Sequence, residues 1–355
     1  MSTPAPGCTV AADGSVTFAY RDPHAAEVRL AADFDGWSPA ARPMRGEAGL
    51  FTLTLPALPP GLHAYKYVVD GRFVADPENP RTVDDGCGER NSSFVAGALP
   101  LGDPSALRVA SLNLHTYQEA RAVYKLEQIA VSMATLGADV LLFQEVGEHE
   151  SDRSRPNAGE VVRSNLERST GRPWHHETFA IRKGFDVYWE GLSILSATPL
   201  TDVRKVVLRE GGLSRIAVIA TTTVKGVPLR VVTAHLTWAP DGDTEAEALL
   251  AQLGETPAGT AATLVAGDFN GTPDSAHVRR LIRAGYVDVG AQQGATGPTF
   301  LEGALERIDY HFLRPAAGQP MPAVRAFARI FDGAAPSHLP RVSDHAGLVA
   351  AYAFR

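Results

Sequence analysis

Asp268 and Asn270 close an apolar run in residues 264–273 (LVAGDFNGTP). Leu264, Val265 and Ala266 read as a buried strand that ends at Gly267. Side chains alternate along a strand, so Phe269 is expected to point away and leave the carboxylate and the carboxamide on one face. Gly271 and Pro273 then turn the chain, and Pro273 suits the first turn of a helix. Asp, Asn and Gly also suit an ordinary turn, for local hydrogen-bonding reasons. Open α/β sheets, however, place their sites at strand ends. Five more strand ends carry polar groups: Asn113, Glu145, His235, Asp309, and Asp344 with His345. Singly, these read as a turn residue, a solvated strand end, a core histidine, an edge charge and a loop. Together they offer oxygen ligands for a hard cation and histidines beside carboxylates, which are tuned proton carriers.

The elements that must position these residues follow from the hydrophobic pattern. From Leu107 strands and helices alternate, which predicts a layered α/β architecture. Strand 107–115 (LRVASLNLH) carries Asn113. A helix over 119–136 places Val123, Leu126, Ile129, Ala130 and Met133 on one face and ends at Gly137. Strand 139–144 presents Glu145, and strand 188–196 contains Glu190. Further strands are expected at 203–209, 216–222, 229–236 (with His235), 308–313 (with Asp309), 323–330 and 347–354, and helices at 160–168, 244–253 and 275–284. Residues 116–121, 148–158, 175–185 and 238–243 are expected to form rim loops. There Arg153, Arg155, Arg182 and Lys183 would meet phosphates or remain solvated surface charges.

The first hundred residues follow another pattern. Short alternating segments at 16–20, 27–31, 50–55 and 62–69 are broken by turns, and Asp70-Gly71 is a hairpin signal. No amphipathic helix pattern interrupts them, so a small β-sandwich is expected. Residues 96–106 (AGALPLGDPSA) read as a Gly- and Pro-rich linker. The organisation read from the sequence is a β-sandwich module at 1–97, a linker at 98–106 and an α/β domain at 107–355.

With 355 residues, two cores are the first expectation. A content of 45% apolar and 21% charged residues is ordinary for a soluble globular chain. The N-terminus, MSTPAPGCTVAADG, lacks the basic-then-apolar pattern of a signal peptide, and no apolar run is long enough to span a membrane. Cys8 and Cys87 make no disulfide framework and fit a reducing compartment, so a cytoplasmic location is expected. A net charge of −7 without basic runs argues against broad nucleic-acid binding but leaves room for a nuclease, because an acidic metal pocket adds negative charge of its own.

In order along the chain, SLNLH, LLFQEV, EGLSILS, TAHL, GDFN, RIDYHF and SDH resemble the endonuclease/exonuclease/phosphatase superfamily, the DNase I-like fold, from Leu107 to Phe354. The resemblance implies two packed sheets with helices outside, a four-layered α/β sandwich. It also implies phosphate-ester hydrolysis with a divalent metal, Mg²⁺ or alternatively Mn²⁺. By the family pattern, Glu145 is the main metal ligand with Asn113 beside it and Asp344 in support. Asp268 orients or deprotonates the attacking water, and Asn270 holds phosphoryl oxygens. His345, oriented by Asp309, contacts the phosphate or moves a proton. His235, paired with Glu190, stabilises the transition state or protonates the leaving oxygen. Which histidine is base and which acid stays open.

Residues 32–39 (ADFDGWSP), 58–71 (LPPGLHAYKYVVDG), 73–80 (FVADPENP) and 89–94 (ERNSSF) resemble the glycogen-binding domains of carbohydrate-binding module family 48. The resemblance implies a sugar grip made by Trp37, Lys66, Phe73 and Asn91, with Phe73 standing where the family usually has a tryptophan. Flat aromatics stack on sugar faces, and Lys and Asn donate to hydroxyls. The opposing expectation is a packing module whose Trp37 caps its own core. Three functions therefore stand beside each other. They are a metal-dependent phosphoesterase with a glucan-binding or substrate-positioning module, a nuclease acting on DNA or RNA, and a glycan-binding protein with a non-catalytic C-terminal scaffold. No apolar hairpin is present to dip into a lipid surface, so membrane insertion is not expected.

Overall fold

The computed structural model describes residues 6–40, 42–58, 61–85, 87–96, 101, 103, 105–117, 122–184, 188–332 and 341–354. They fall into two compact units, one up to residue 96 and one from residue 101. Most of the expected linker, and the expected helix start at 119–121, lie outside the described residues. No helix among the described residues is long and apolar enough to cross a membrane.

The N-terminal unit is built from β1 (Gly7–Val10), β2 (Val16–Arg21), β3 (Val28–Ala32), β4 (Arg45–Glu47), β5 (Leu50–Leu55), β6 (Gly61–Val69), β7 (Arg72–Val74), β8 (Thr82–Asp84) and β9 (Arg90–Ala96). One sheet runs β1-β2-β5-β4 and the other β3-β6-β9-β8, with β7 paired to β6. Alternation sends Val16, Phe18, Tyr65, Tyr67 and Phe94 into one core between the sheets. Asp70 and Gly71, both with positive φ, make the tight turn between β6 and β7 that the Asp-Gly pair predicts.

The larger unit holds two six-stranded sheets. Its elements, in order, are β10 (Leu107–Asn113), α1 (Ala122–Thr135), β11 (Val140–Glu148), α2 (Ala158–Thr170), β12 (His175–Gly184), β13 (Tyr188–Ser196), β14 (Leu200–Arg209), β15 (Arg215–Val224) and β16 (Val227–His235). There follow α3 (Asp241–Leu253), β17 (Ala262–Asp268), α4 (Ala276–Arg283), β18 (Val287–Asp288), α5 (Val289–Gln292), β19 (Asp309–Pro315), β20 (Ala323–Ile330) and β21 (Gly347–Ala353). The sheet orders are β12-β13-β11-β10-β21-β20 and β14-β15-β16-β17-β19-β18. Period-2 burial explains the layering. In β15, Ile216, Val218 and Ala220 enter the core between the sheets, where they join Val109, Leu142 and Ile194. The alternate residues Ala217 and Ile219 face outward under α3 and α4, against Leu249, Leu253, Val278 and Leu281. This is the expected sandwich of two sheets with helices outside.

Three local expectations need correction. Residues 175–185, read as a rim loop, contain β12, an edge strand that pairs with β13 over most of its length. Its partly exposed mixture of polar and apolar residues masks the alternation. Pro273 does not open a helix, because α4 starts at Ala276 after a turn through Thr272 and Ser275. Asn270 is not a continuing strand residue either. β17 stops at Asp268, and Asn270 has a left-handed φ of 45°.

Gly267 has φ +147°, and a Cβ there would lie 2.0 Å from the carbonyl oxygen of Ala234 on β16. Only glycine lets the two parallel strands pair at that point. Gly267→Ala should therefore lower the urea midpoint of the chain, with a loss of about 1–3 kcal/mol. An unchanged midpoint would show that the strands can separate there without cost.

Candidate active site

Strand register assembles the first half of the site. His235 pairs with Asp268 across β16 and β17, and Asp268 pairs with Asp309 across β17 and β19. Three strands thus bring a histidine and two aspartates side by side at one edge of a sheet. The facing sheet contributes Asn113 at the end of β10 and Glu145 on β11. Between Phe143 and Val146 two residues of β11 oppose one of β13, a bulge that turns Glu145 to a left-handed φ of 49°. His115 follows with φ 46°. Three site residues, including Asn270, thus hold backbone conformations that cost energy outside glycine, and such strain gathers at functional positions. Asp344 and His345 arrive just before β21.

The two halves meet at Asp268. Its Oδ2 accepts from Asn113 Nδ2 at 3.1 Å and lies 3.4 Å from His235 Nε2 and 3.7 Å from His345 Nε2. Its Oδ1 accepts from the backbone N–H of Asn270 at 2.8 Å. The turn reading and the site reading of this stretch therefore coexist, since an Asp side chain capping a turn sets the position of Asn270. Asn113 Nδ2 also donates to Glu145 Oε1 at 3.0 Å, so one amide joins the two sheets through two carboxylates.

Burial and like charge set the electrostatics. Burial, together with Asp309, raises the Asp268 carboxyl to about 7. Burial and the Glu190 carboxylate also raise Glu145. For His345, burial pulls the other way but is outweighed by Asp309 and Asp268, which raise it to about 10. His345 Nδ1 lies 2.9 Å from Asp309 Oδ2, and its ring lies 5.2 Å from that of Phe300. The expected His345–Asp309 contact is present, and His345 is a cation at neutral pH.

The expected contact between His235 and Glu190 is not made. Both Arg182 Nη2 contacts to the Glu190 carboxylate are close, 2.9 and 3.0 Å, and Arg215 Nη1 lies 4.0 Å from it. Arg215 Nη1 faces His235 Nδ1 at 3.1 Å. Arg215 Nη1 and Asn270 Nδ2, which lies 3.1 Å from Nε2, are both donors, and a neutral ring can accept from only one of them. The guanidinium bond is charge-assisted and the stronger, which places the His235 proton on Nε2, toward Asp268. Burial, then Arg215, His345 and Arg182, push the His235 pKa well below its ordinary value. His235 is thus a neutral hydrogen-bond donor. Asn270 Nδ2 then gives its hydrogen bond to Leu236 O at 2.9 Å, and its approach to Nε2 is a contact between two donors, not a hydrogen bond.

Sequence reasoning missed two groups. His115 Nδ1 lies 3.1 Å from Asp344 Oδ2 and 3.7 Å from Glu145 Oε2. Burial would raise Asp344, but bonds and charge from His115 and His345 lower it. The signal for His115 was its place two residues after Asn113. Arg215 gave no such signal, because its partner is twenty residues away across the β15–β16 hairpin.

In the N-terminal unit, register sets Asn91 across from Val83 on β8 and Phe73 across from Val68, and alternation turns Phe73 and Lys66 to the sheet face away from Tyr65 and Tyr67. Phe73 is exposed, and Trp37 stands on the turn after β3 with φ 60°. Lys66 is not an open donor. Its ammonium is buried between Asp85 (2.9 Å) and Glu89 (2.8 Å).

Residues 110–345 match the model of the Endonuclease/Exonuclease/phosphatase family. Residues 6–84 match Carbohydrate-binding module 48 (Isoamylase N-terminal domain). Among solved structures, an endonuclease/exonuclease/phosphatase family protein from Leptotrichia buccalis C-1013-b superposes with a TM-score of 0.60 at 19% identity, covering 70% of this chain and 100% of that one. TDP2 from D. rerio, complexed with single strand DNA product, gives 0.53 at 19% identity over 70% and 99% of the two chains. The human Nocturnin catalytic domain with bound sulfate gives 0.53 at 18% over 70% and 94%. At these identities the likeness is one of fold. Protein PTST homolog 2, chloroplastic, from Arabidopsis thaliana is 40% identical over 62 residues, 18% of this chain and 12% of that protein. A 1,4-alpha-glucan branching enzyme GlgB 2 from Xanthomonas campestris is 42% identical over 69 residues, 18% and 9% of the two chains. The match thus spans about a tenth of the length of these curated relatives.

The folded value of His345, about 10, exceeds its ordinary 6.5. Its pairing therefore stabilises fully below pH 6.5 and is lost as pH rises toward about 10. In Asp309→Asn, the deficit in thermal midpoint relative to the natural chain should shrink across that window. A deficit that is constant or grows would mean that the proton on His345 is not what Asp309 holds.

Proposed function

Because the chain belongs to the endonuclease/exonuclease/phosphatase family, we propose that it is a divalent-metal-dependent phosphoesterase with an N-terminal unit that holds glucan. The observation that supports this best is the convergence on Asp268. One carboxylate oxygen faces an amide and two imidazoles from three other strand ends, all within 3.7 Å. Such a point can hold a water, take its proton and surround an anionic phosphoryl group with donors.

The donor set fits a hard cation. Glu145 and Asp344 offer carboxylate oxygens, and the positively polarised His115 N–H already bridges them, marking a place where positive charge is favoured. Asp268, Asp309 and His345 offer a neighbouring group of ligand atoms within 4.8 Å of one another. We assign the ion to Glu145 and Asp344, with the Asn113 amide turned to present its oxygen. Mg²⁺ is the proposed ion and Mn²⁺ the alternative. When bound, it polarises the phosphoryl oxygen and offsets developing charge.

The chain's own groups then have distinct roles. Asp268, raised to about 7, accepts the proton of the attacking water near neutral pH. Cationic His345, steadied by Asp309, neutralises a phosphoryl oxygen. His235 donates from Nε2 to a second oxygen, and Asn270 steadies that end of the ester. Glu190 acts one step back, by holding Arg182 and Arg215. The nuclease alternative calls for a basic rim. Three of the four candidate rim cations face carboxylates instead: Arg155 with Asp152 (3.4 Å), Lys183 with Glu150 (3.2 Å) and Arg182 with Glu190 (2.9 Å). That weighs toward a small or neutral-bodied ester. In the N-terminal unit, ring stacking by Trp37 and Phe73 carries the proposed glucan contact, with Asn91 as a donor and Lys66 contributing only by releasing its carboxylates.

Glu145→Gln should reduce metal-stimulated hydrolysis of bis-p-nitrophenyl phosphate about a hundredfold while leaving the thermal midpoint near that of the natural chain. Full turnover at low millimolar Mg²⁺ would sink the metal assignment. Asp309→Asn added to His345→Ala should cost little beyond His345→Ala alone, since members of one unit are non-additive. Additive losses would separate the two. Trp37→Ala in the full chain should weaken glycogen binding roughly tenfold, by analogy with aromatic stacking elsewhere. Equal retention of both proteins on glycogen would leave the unit a packing domain.

A further inference from the structure

Building on the phosphoesterase reading, we propose that Trp238 is the platform for a pyranose ring whose phosphate ester occupies the site at Asp268. The substrate class is then a sugar phosphate.

Trp238 stands three residues past His235 and is 46% exposed, an unusual state for an indole. The loop that carries it is tied to the site at its start and to α3 at its end. Leu236 N donates to Asp268 O at 2.9 Å, and Leu236 O accepts from Asn270 Nδ2 at 2.9 Å. Thr237 donates its N–H and its hydroxyl to the two oxygens of Glu245, each at 2.6 Å, and Glu245 is fully buried. Trp238 O then accepts from Gly242 N at 3.2 Å at the start of α3. Gly242 lies so close beneath the loop that a Cβ there would meet Thr237 O at 2.2 Å. Arg209 bonds Asp241 and reaches Glu245 at 3.7 Å, closing the far side. The backbone under the indole is therefore fixed, and a ring laid on it orders little further.

The rest of the rim favours a neutral ring over a polyanion. A nucleic-acid strand is followed by a row of cations, and three of the four candidate rim cations here face carboxylates. On the far side, Phe300 backs His345. An ester held between the two histidines would lie beside the loop that starts at Leu236 and carries the exposed indole. The apolar C–H face of a pyranose suits an indole, while its hydroxyls stay in water. Residues 6–84, which match a carbohydrate-binding module, lie on the same chain. Covalent linkage of a sugar-holding unit raises the local concentration of sugar-borne esters. In the reaction, water oxygen forms a new bond to phosphorus and the bond from phosphorus to the sugar oxygen breaks. The sugar oxygen takes a proton, and free sugar and inorganic phosphate leave.

The test is calorimetric binding of glucose 6-phosphate and of ringless glycerol 2-phosphate to the full chain. A Trp37→Ala background removes sugar bound by the N-terminal unit. The chain should prefer glucose 6-phosphate roughly tenfold. Trp238→Ala should abolish the preference and Trp238→Phe should keep most of it, with thermal midpoints confirming that both variants fold. Equal affinities, a preference that survives Trp238→Ala, or tighter Trp238-dependent binding of thymidine 5′-monophosphate would each overturn the proposal. Hydrolysis of bis-p-nitrophenyl phosphate by the natural chain is measured separately. Its absence sinks the phosphoesterase reading, whereas the binding result decides the role of Trp238.

Discussion

Too many acids share one small, largely buried space, and the rest of the catalytic unit is arranged to tolerate them. Glu145, Asp268, Asp309 and Asp344 come from both sheets and converge on a common centre. Burial first, and then like charge (Asp309 at Asp268, Glu190 at Glu145), raises proton affinity, which is why Asp268 and Glu145 sit above their ordinary values. The two imidazoles of His345 and His115 and the amide of Asn113 supply the opposing donors. A loose fold would relieve the crowding by letting strands slide apart. The aliphatic core between the sheets, with Val109, Leu142, Val218, Val231 and Leu264 interlocked, resists that motion.

The same crowding separates the roles of the two histidines. His345 faces aspartates and is held as a cation, while His235 faces arginines and is held neutral. Two identical side chains, both close to one Asp268 oxygen, thus differ in charge because of what lies behind them. A neutral histidine with its proton on Nε2 can stabilise an oxygen without first giving up that proton. A cationic one adds charge where a phosphoryl group needs it. With Arg215 behind it, His235 is held neutral, while the buried Asp268 carboxyl beside it is raised to about 7.

Much of this was readable beforehand. Apolar runs ending in Asp268 and His235 announce strand ends, because period-2 burial and a polar terminus are local features. Glu145, also expected at a strand end, lies instead inside β11, which continues to Glu148. Adjacency across the sheet is not local. The row His235–Asp268–Asp309 depends on register, and Arg215 meets His235 through a hairpin, so neither could be read from spacing. Backbone departures were hidden as well. The bulge that aims Glu145 and the left-handed turn at Asn270 are set by tertiary pairing and override the alternation that a strand reading assumes. β12 escaped notice because an edge strand with one solvated side carries little hydrophobic signal.

These energetics also weigh against a C-terminal unit that is only a scaffold. Burying a carboxylate among carboxylates destabilises a fold, and apolar residues of similar size would pack the same space at lower cost. Left-handed backbone at Glu145 adds strain of order 1–3 kcal/mol, and less at His115 and Asn270, whose residue types adopt it more readily. Nothing in the packing of the sheets requires it, since the aliphatic core between them is complete without these side chains. What the strained positions do is aim an acid, an imidazole and an amide at one another across the gap between two sheets. A binding scaffold gains nothing from that arrangement, whereas a centre that must hold a cation beside an anionic ester needs charges preorganised before the substrate arrives.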